Sequence, residues 1–93
     1  MVSLRNEREK VRKTGITFLR SEIDTGHTLA NIALASGEDS EKRQRNGENA
    51  RKAYDSAMRF ADRVSLSSDE TREMNENLNA LKSKLIRLGE KVD

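Results

Sequence analysis

The chain of 93 residues has no cysteine, no proline and no tryptophan, and its aromatic residues are Phe18, Tyr54 and Phe60 alone. Without cysteine there are no disulfides, no thiolate catalysis and no cysteine-ligated zinc. Without proline nothing breaks a helix interior, so the chain is free to run in long helices. The β-branched and aromatic runs that build strands are missing as well. No stretch approaches the roughly 18 apolar residues of a membrane span. Residues 1–16 hold no apolar run of signal-peptide length, so a cytoplasmic protein with no membrane partner is expected.

Chemistry-bearing motifs are equally scarce. Gly15, Gly26, Gly37, Gly47 and Gly89 are scattered singly and make no phosphate-cradling loop. His27 is the sole histidine, and Asp24, three residues earlier, is its nearest acidic companion. One aspartate and one histidine do not make a metal site. No serine lies in a Gly-x-Ser-x-Gly context, and there is no second histidine to act as base. The expectation is a protein that is not an enzyme and binds no cofactor and no metal.

What the chain does have is charge: 37% of residues are charged and 33% hydrophobic, with a net charge of +2. That balance suits amphipathic helices, each of which buries only a stripe. The charge is unevenly placed. Residues 1–20 carry Arg5, Arg8, Lys10, Arg12, Lys13 and Arg20 against Glu7 and Glu9, whereas residues 21–37 carry only Glu22 and Asp24.

Residues 1–14 are polar, with Leu4 and Val11 seven apart, and read as either a helical extension or a frayed arm. Gly15 marks a break before the first clear helix, 16–36. In it Ile16, Leu19, Ile23, Gly26, Ala30 and Ala33 recur at spacings of 3 and 4, and Phe18, Thr25, Leu29 and Ile32 lie beside them. Gly37 is placed to cap this helix in the left-handed conformation. The second helix, 39–64, opens with acidic residues at its positive end and three charge pairs at i,i+4: Glu38–Lys42, Asp39–Arg43 and Glu41–Arg45. Asn46-Gly47 is a candidate local break. Ala50, Ala57 and Val64 then recur every seven residues, with Ala53, Tyr54, Phe60 and Ala61 between. Ser67 and Glu70 have the spacing of a capping box. The third helix, 68–88, carries Thr71, Met74, Leu78, Leu81, Leu85, Leu88 and Val92 on a heptad seam, and Gly89 follows as a C-cap. Three amphipathic helices joined by tight turns predict an all-α fold, an up-down-up antiparallel three-helix bundle with coiled-coil-like packing. It forms one domain over residues 15–93. The apolar first half of the first helix needs a cover that the polar start of the second cannot supply: either the end of the third helix, if the three align antiparallel, or a second chain.

Ala50, Tyr54 and Ala57 have the small-x3-aromatic-x2-alanine spacing that resembles the second helix of a tetratricopeptide repeat. The resemblance covers one helix of three; Glu38, Glu41 and Asp62 stand where the family pattern has small, aromatic and proline residues. It implies a helical hairpin of the type that stacks into protein-binding scaffolds.

Function is expected from surfaces. The apolar positions on the first helix exceed what two half-polar helices can cover. This points to a helical interaction or self-association module with a protein partner or a homodimer, and with Ile16, Phe18, Leu19, Ile23, Leu29 and Ile32 as the partner surface. The alternative is a small nucleic-acid-binding protein. Arg5, Arg8 and Arg12 align on one helix face with Lys13 beside them as polyanion contacts, although Glu7 and Glu9 interrupt the run and no aromatic residue interleaves it.

Overall fold

A computed structural model describes residues 4–92, with side chains from residue 6. Among the described residues the chain forms three helices and no strand: α1 (Leu4–Leu34), α2 (Ser40–Ala61) and α3 (Ser68–Arg87). The fold is the expected all-α three-helix bundle, with α1 packed against both other helices.

The boundaries follow from local chemistry. In the first turn Gly37 takes φ 59°, a left-handed conformation that a side chain would strain. Asp39 then caps α2, its carboxylate accepting from the Lys42 N–H at 3.0 Å. Asp39 is thus a cap and not a first-turn ion-pair partner. The second turn ends in the expected capping box: Ser67 Oγ accepts from the Glu70 N–H at 3.1 Å, and Glu70 Oε1 accepts from the Ser67 N–H at 2.9 Å. After α3 the Glu90 N–H reaches the Leu85 carbonyl and the Gly89 N–H reaches that of Ile86, both at 3.0 Å. That pairing, with Gly89 at φ 81°, is a Schellman motif.

Three expectations change. Gly15 does not break the chain: α1 runs unbroken from Leu4, so residues 4–14 of the basic arm are a helical extension, and residues 1–3 lie outside the described residues. A lone glycine costs about 1 kcal/mol in a helix, and packing of Gly15 beside Val64 and Phe60 compensates for it. Asn46-Gly47 is likewise continuous α-helix. And it is the start of α3, not its end, that lies beside the first half of α1. Arg12 pairs with Glu70, Arg20 with Glu73, and His27 bonds Asn77. With two turns the third helix runs parallel to the first, so like ends meet. The first half of α1 is therefore covered by the end of α2 and the beginning of α3.

The core gathers Ile16, Leu19, Ile23 and Ala30 of α1, Ala50, Tyr54 and Ala57 of α2, and Met74, Leu78, Leu81 and Leu85 of α3. Each fully buried Leu or Ile stabilises by about 1.5–3 kcal/mol. Alanines on α2 let the backbones approach closely. The tightest point is Gly26, where a Cβ would stand 2.6 Å from Leu81 Cδ2 and 3.6 Å from the Ala50 carbonyl oxygen. On the α3 seam Met74, Leu78, Leu81 and Leu85 are buried, Leu88 and Val92 pack at the margin, and Thr71 is exposed. The ladder is an internal seam of the bundle.

The first turns of α1 lie beside the turn between α2 and α3: Glu7, Arg8, Val11 and Arg12 share a cavity with Arg63, Val64 and Ser65. The long dimension of the molecule is 59 Å.

Candidate functional site

The residues expected to form a partner surface are divided by the fold. Ile16, Leu19 and Ile23 are 4%, 0% and 2% exposed and belong to the intramolecular core, so they do not form a surface. The sequence reading assigned α1 more apolar residues than its neighbours could cover; the end of α2 and the start of α3 cover this row completely. Leu29 is half-buried against the same core. Phe18 and Ile32 remain outside, at 45% and 37% exposure.

The structure adds Val11, which is 72% exposed. Val11, Thr14, Phe18, Ser21, Thr25, Thr28, Ile32 and Ala35 are all exposed and follow one another at spacings of 3 and 4. From Phe18 onward each follows an inner-row residue by two: Ile16 and Phe18, Leu19 and Ser21, Ile23 and Thr25, Gly26 and Thr28, Ala30 and Ile32, Ala33 and Ala35. Two residues turn an α-helix by about 200°, so this second row lies on the far side of α1 from the core. It contains no charge, in a chain that is 37% charged. The signal is present in the sequence: Phe18, Thr25 and Ile32, three of the eight, stand in the row beside the core, and Val11 falls in the arm.

Two places on this face are shaped. At the bundle's end Phe18 meets Phe60 of α2 edge-to-face, with ring centroids 4.7 Å apart at 64°. Such pairs contribute about 0.5–1.5 kcal/mol beyond simple burial. Val11, Thr14, Gly15, Phe18 and Phe60 line a shallow, mostly apolar groove there, with Lys10 at its edge. Farther along, Arg20, Ser21, Asp24, Thr25 and Thr28 line a second, more polar groove.

The expected polyanion contacts are not equivalent. Arg12 is engaged: it donates to Glu9 at 2.9 Å and to Glu70 at 2.7 Å. These bonds raise its pKa above the ordinary guanidinium value, with Glu9 the larger contributor. The Arg12 hydrogen bond in turn lowers Glu9. Glu70 is held below the usual carboxylate range first by the Ser67 backbone N–H, then by the Ser67 hydroxyl and Arg12. Arg12 thus ties α1 to the α3 cap. Arg8 and Lys13 are exposed, and the Arg5 side chain lies outside the described residues.

His27 is a cross-link between helices. Lys84 Nζ, which can only donate, lies 2.8 Å from Nδ1, so Nδ1 accepts and Nε2 donates to the Asn77 carbonyl at 3.1 Å. Both ring nitrogens are thereby occupied by α3. Arg51 Nε lies 3.2 Å from Glu90 Oε1, close enough for an ion pair but angled too far for a hydrogen bond. Among the described residues no group of three His, Cys, Asp or Glu side chains is placed to hold a metal ion, and no helix is long and apolar enough to cross a membrane. No protein-family model matches the chain, and comparison with curated proteins and with solved structures finds no match.

Proposed function

We propose that the protein is a non-enzymatic helical interaction module that docks a protein helix along the outer face of α1. The observation that carries this reading is the uncharged exposed row centred on Val11, Phe18 and Ile32, with Phe60 of α2 extending it sideways. An amphipathic helix laid along such a row is anchored by side chains at i, i+3, i+4 and i+7. The tetratricopeptide-like spacing of Ala50, Tyr54 and Ala57 agrees with this use, since helix hairpins of that type serve as protein-binding scaffolds. All three residues are buried here, so they would support the docking face from within and not form it.

The test is binding of an apolar fluorescent dye, together with light scattering. The native chain is expected to bind the dye, and Phe18→Ser to reduce binding without loss of helical circular dichroism. A strictly monomeric chain that binds no dye contradicts the proposal.

A further inference from the structure

We infer that the partner of this face is a second copy of the same chain, with the two α1 helices packed antiparallel about a two-fold axis near Ile23. The inference rests on the docking reading above and names its occupant. Three features of the outer row carry it.

The first is size matching. The exposed row runs from Val11 to Ala35, and its midpoint is residue 23. An antiparallel copy that overlaps the whole row sets Val11 against Ala35, Thr14 against Ile32, Phe18 against Thr28 and Ser21 against Thr25. Every large residue then meets a smaller one, the alternation that close-packed facing rows require. The row's period of 3.5 drifts about 20° per heptad on a straight helix, which a shallow left-handed winding of the pair corrects.

The second is charge. Residues 4–13 carry five cations (Arg5, Arg8, Lys10, Arg12, Lys13) and two acids (Glu7, Glu9), a formal +3. Residues 35–41 carry Glu38, Asp39 and Glu41 with no Lys or Arg, a formal −3. Antiparallel pairing brings the basic first turns of one copy toward the acidic turn that follows α1 in the other, where Arg8 and Glu38 are both exposed. Parallel pairing would stack +3 on +3 and −3 on −3. Like charges juxtaposed across an interface select against that arrangement.

The third lies at the axis. Arg20 and Asp24 line one groove with Ser21, Thr25 and Thr28. In the antiparallel register Arg20 of each copy comes within two residue positions, about 3 Å along the axis, of Asp24 of the other. Arg20 and Asp24, the two exposed charged residues of α1 between Thr14 and Ile32, are therefore complementary across the pair, with Arg20 also bonded to Glu73 of its own chain and Glu22 part-buried between them.

A symmetric interface of this kind is isologous, so one substitution acts twice. The absence of native cysteine makes disulfide mapping unambiguous. Val11→Cys and Ala35→Cys are made in separate full-length chains, oxidised alone and as a mixture, and sedimented at millimolar concentration beside the native chain. The proposal expects a native dimer and a disulfide-linked heterodimer in the mixture. It expects little linkage of either variant alone, because its own two sulfurs stand about 36 Å apart, 24 residues at 1.5 Å each. Strong self-linkage of each single variant means a parallel pair and overturns the inference, while leaving the docking face standing. A monomer with no mixed linkage also overturns it, and dye binding then decides the docking reading separately. Dye uptake that Phe18→Ser reduces preserves that reading; no uptake ends both. Circular dichroism of each variant confirms that the chain is folded.

Discussion

The two faces of α1 have the same spacing and opposite fates. The inner row, Ile16, Leu19, Ile23, Gly26, Ala30 and Ala33, is buried against α2 and α3. The outer row, two residues on at each step from Phe18 to Ala35, carries hydroxyls, small groups and isolated large apolar residues, all exposed. The inner row is built to be dry in one chain. The outer row is wettable enough to tolerate water and uncharged enough to lose it, as the proposed interface requires. A 31-residue helix thus serves two assemblies, one within the chain and one proposed between chains.

Substitutions that separate the faces should show it. Leu19→Ala removes a fully buried side chain and should cost about 2–5 kcal/mol in urea unfolding. Thr25→Ala on the outer face should stay within about 0.5 kcal/mol. Equal effects would erase the distinction between the rows. The glycines sharpen it further. Gly26→Ala forces a methyl toward Leu81 in a fully packed site and should destabilise by about 1–3 kcal/mol, less its gain in helix propensity. Gly47→Ala meets only Glu90 and Leu88 side-chain atoms, at 3.7 Å or more. Van der Waals contact of that kind is ordinary, so the propensity gain should prevail and raise stability by about 0.5–1 kcal/mol. Opposite signs for the two glycines are the expected result in thermal melts.

A smaller effect concerns the cap that holds α3 to the inner face. The Glu70 pKa is depressed, so the folded chain takes up this proton less readily than the unfolded chain. Its contribution is complete above the free glutamate value, about 4.3, and fades as the pH falls through the depressed value. Glu70→Gln should lower stability at neutral pH by that contribution, carried first by the charge-assisted Ser67 N–H bond and then by the Ser67 hydroxyl and Arg12, and should thereby flatten the acid limb. An unchanged acid limb would remove Glu70 from this role.

The fold was legible because its signals were local. The capping box at Ser67 and Glu70, the left-handed Gly37 and the seam from Met74 to Leu85 each rest on residues close in sequence. The reading failed where tertiary packing decided. Gly15 and Asn46-Gly47 look like breaks by propensity, yet neighbours hold them helical. The coverage of Ile16 depends on which end of α3 lies beside it, and an odd number of antiparallel passes returns like ends together. The candidate surface was half legible. Phe18 and Ile32 were named for their apolarity, whereas Ile16, Leu19 and Ile23 drew attention for the same reason and proved to be core. Apolarity marks positions that avoid water but not the chain that covers them. The more selective signal was a row without charge two residues out of step with the core, and it becomes visible once the core row is known.

The central claim, that the outer face of α1 is an interface between copies, is tested most directly by sedimentation equilibrium of the native chain beside Phe18→Glu. The account predicts a native dimer and a folded, monomeric variant, with association weakened by more than about thirtyfold, the scale of losing a hot-spot side chain. Identical masses for the two chains across the same concentrations would contradict it.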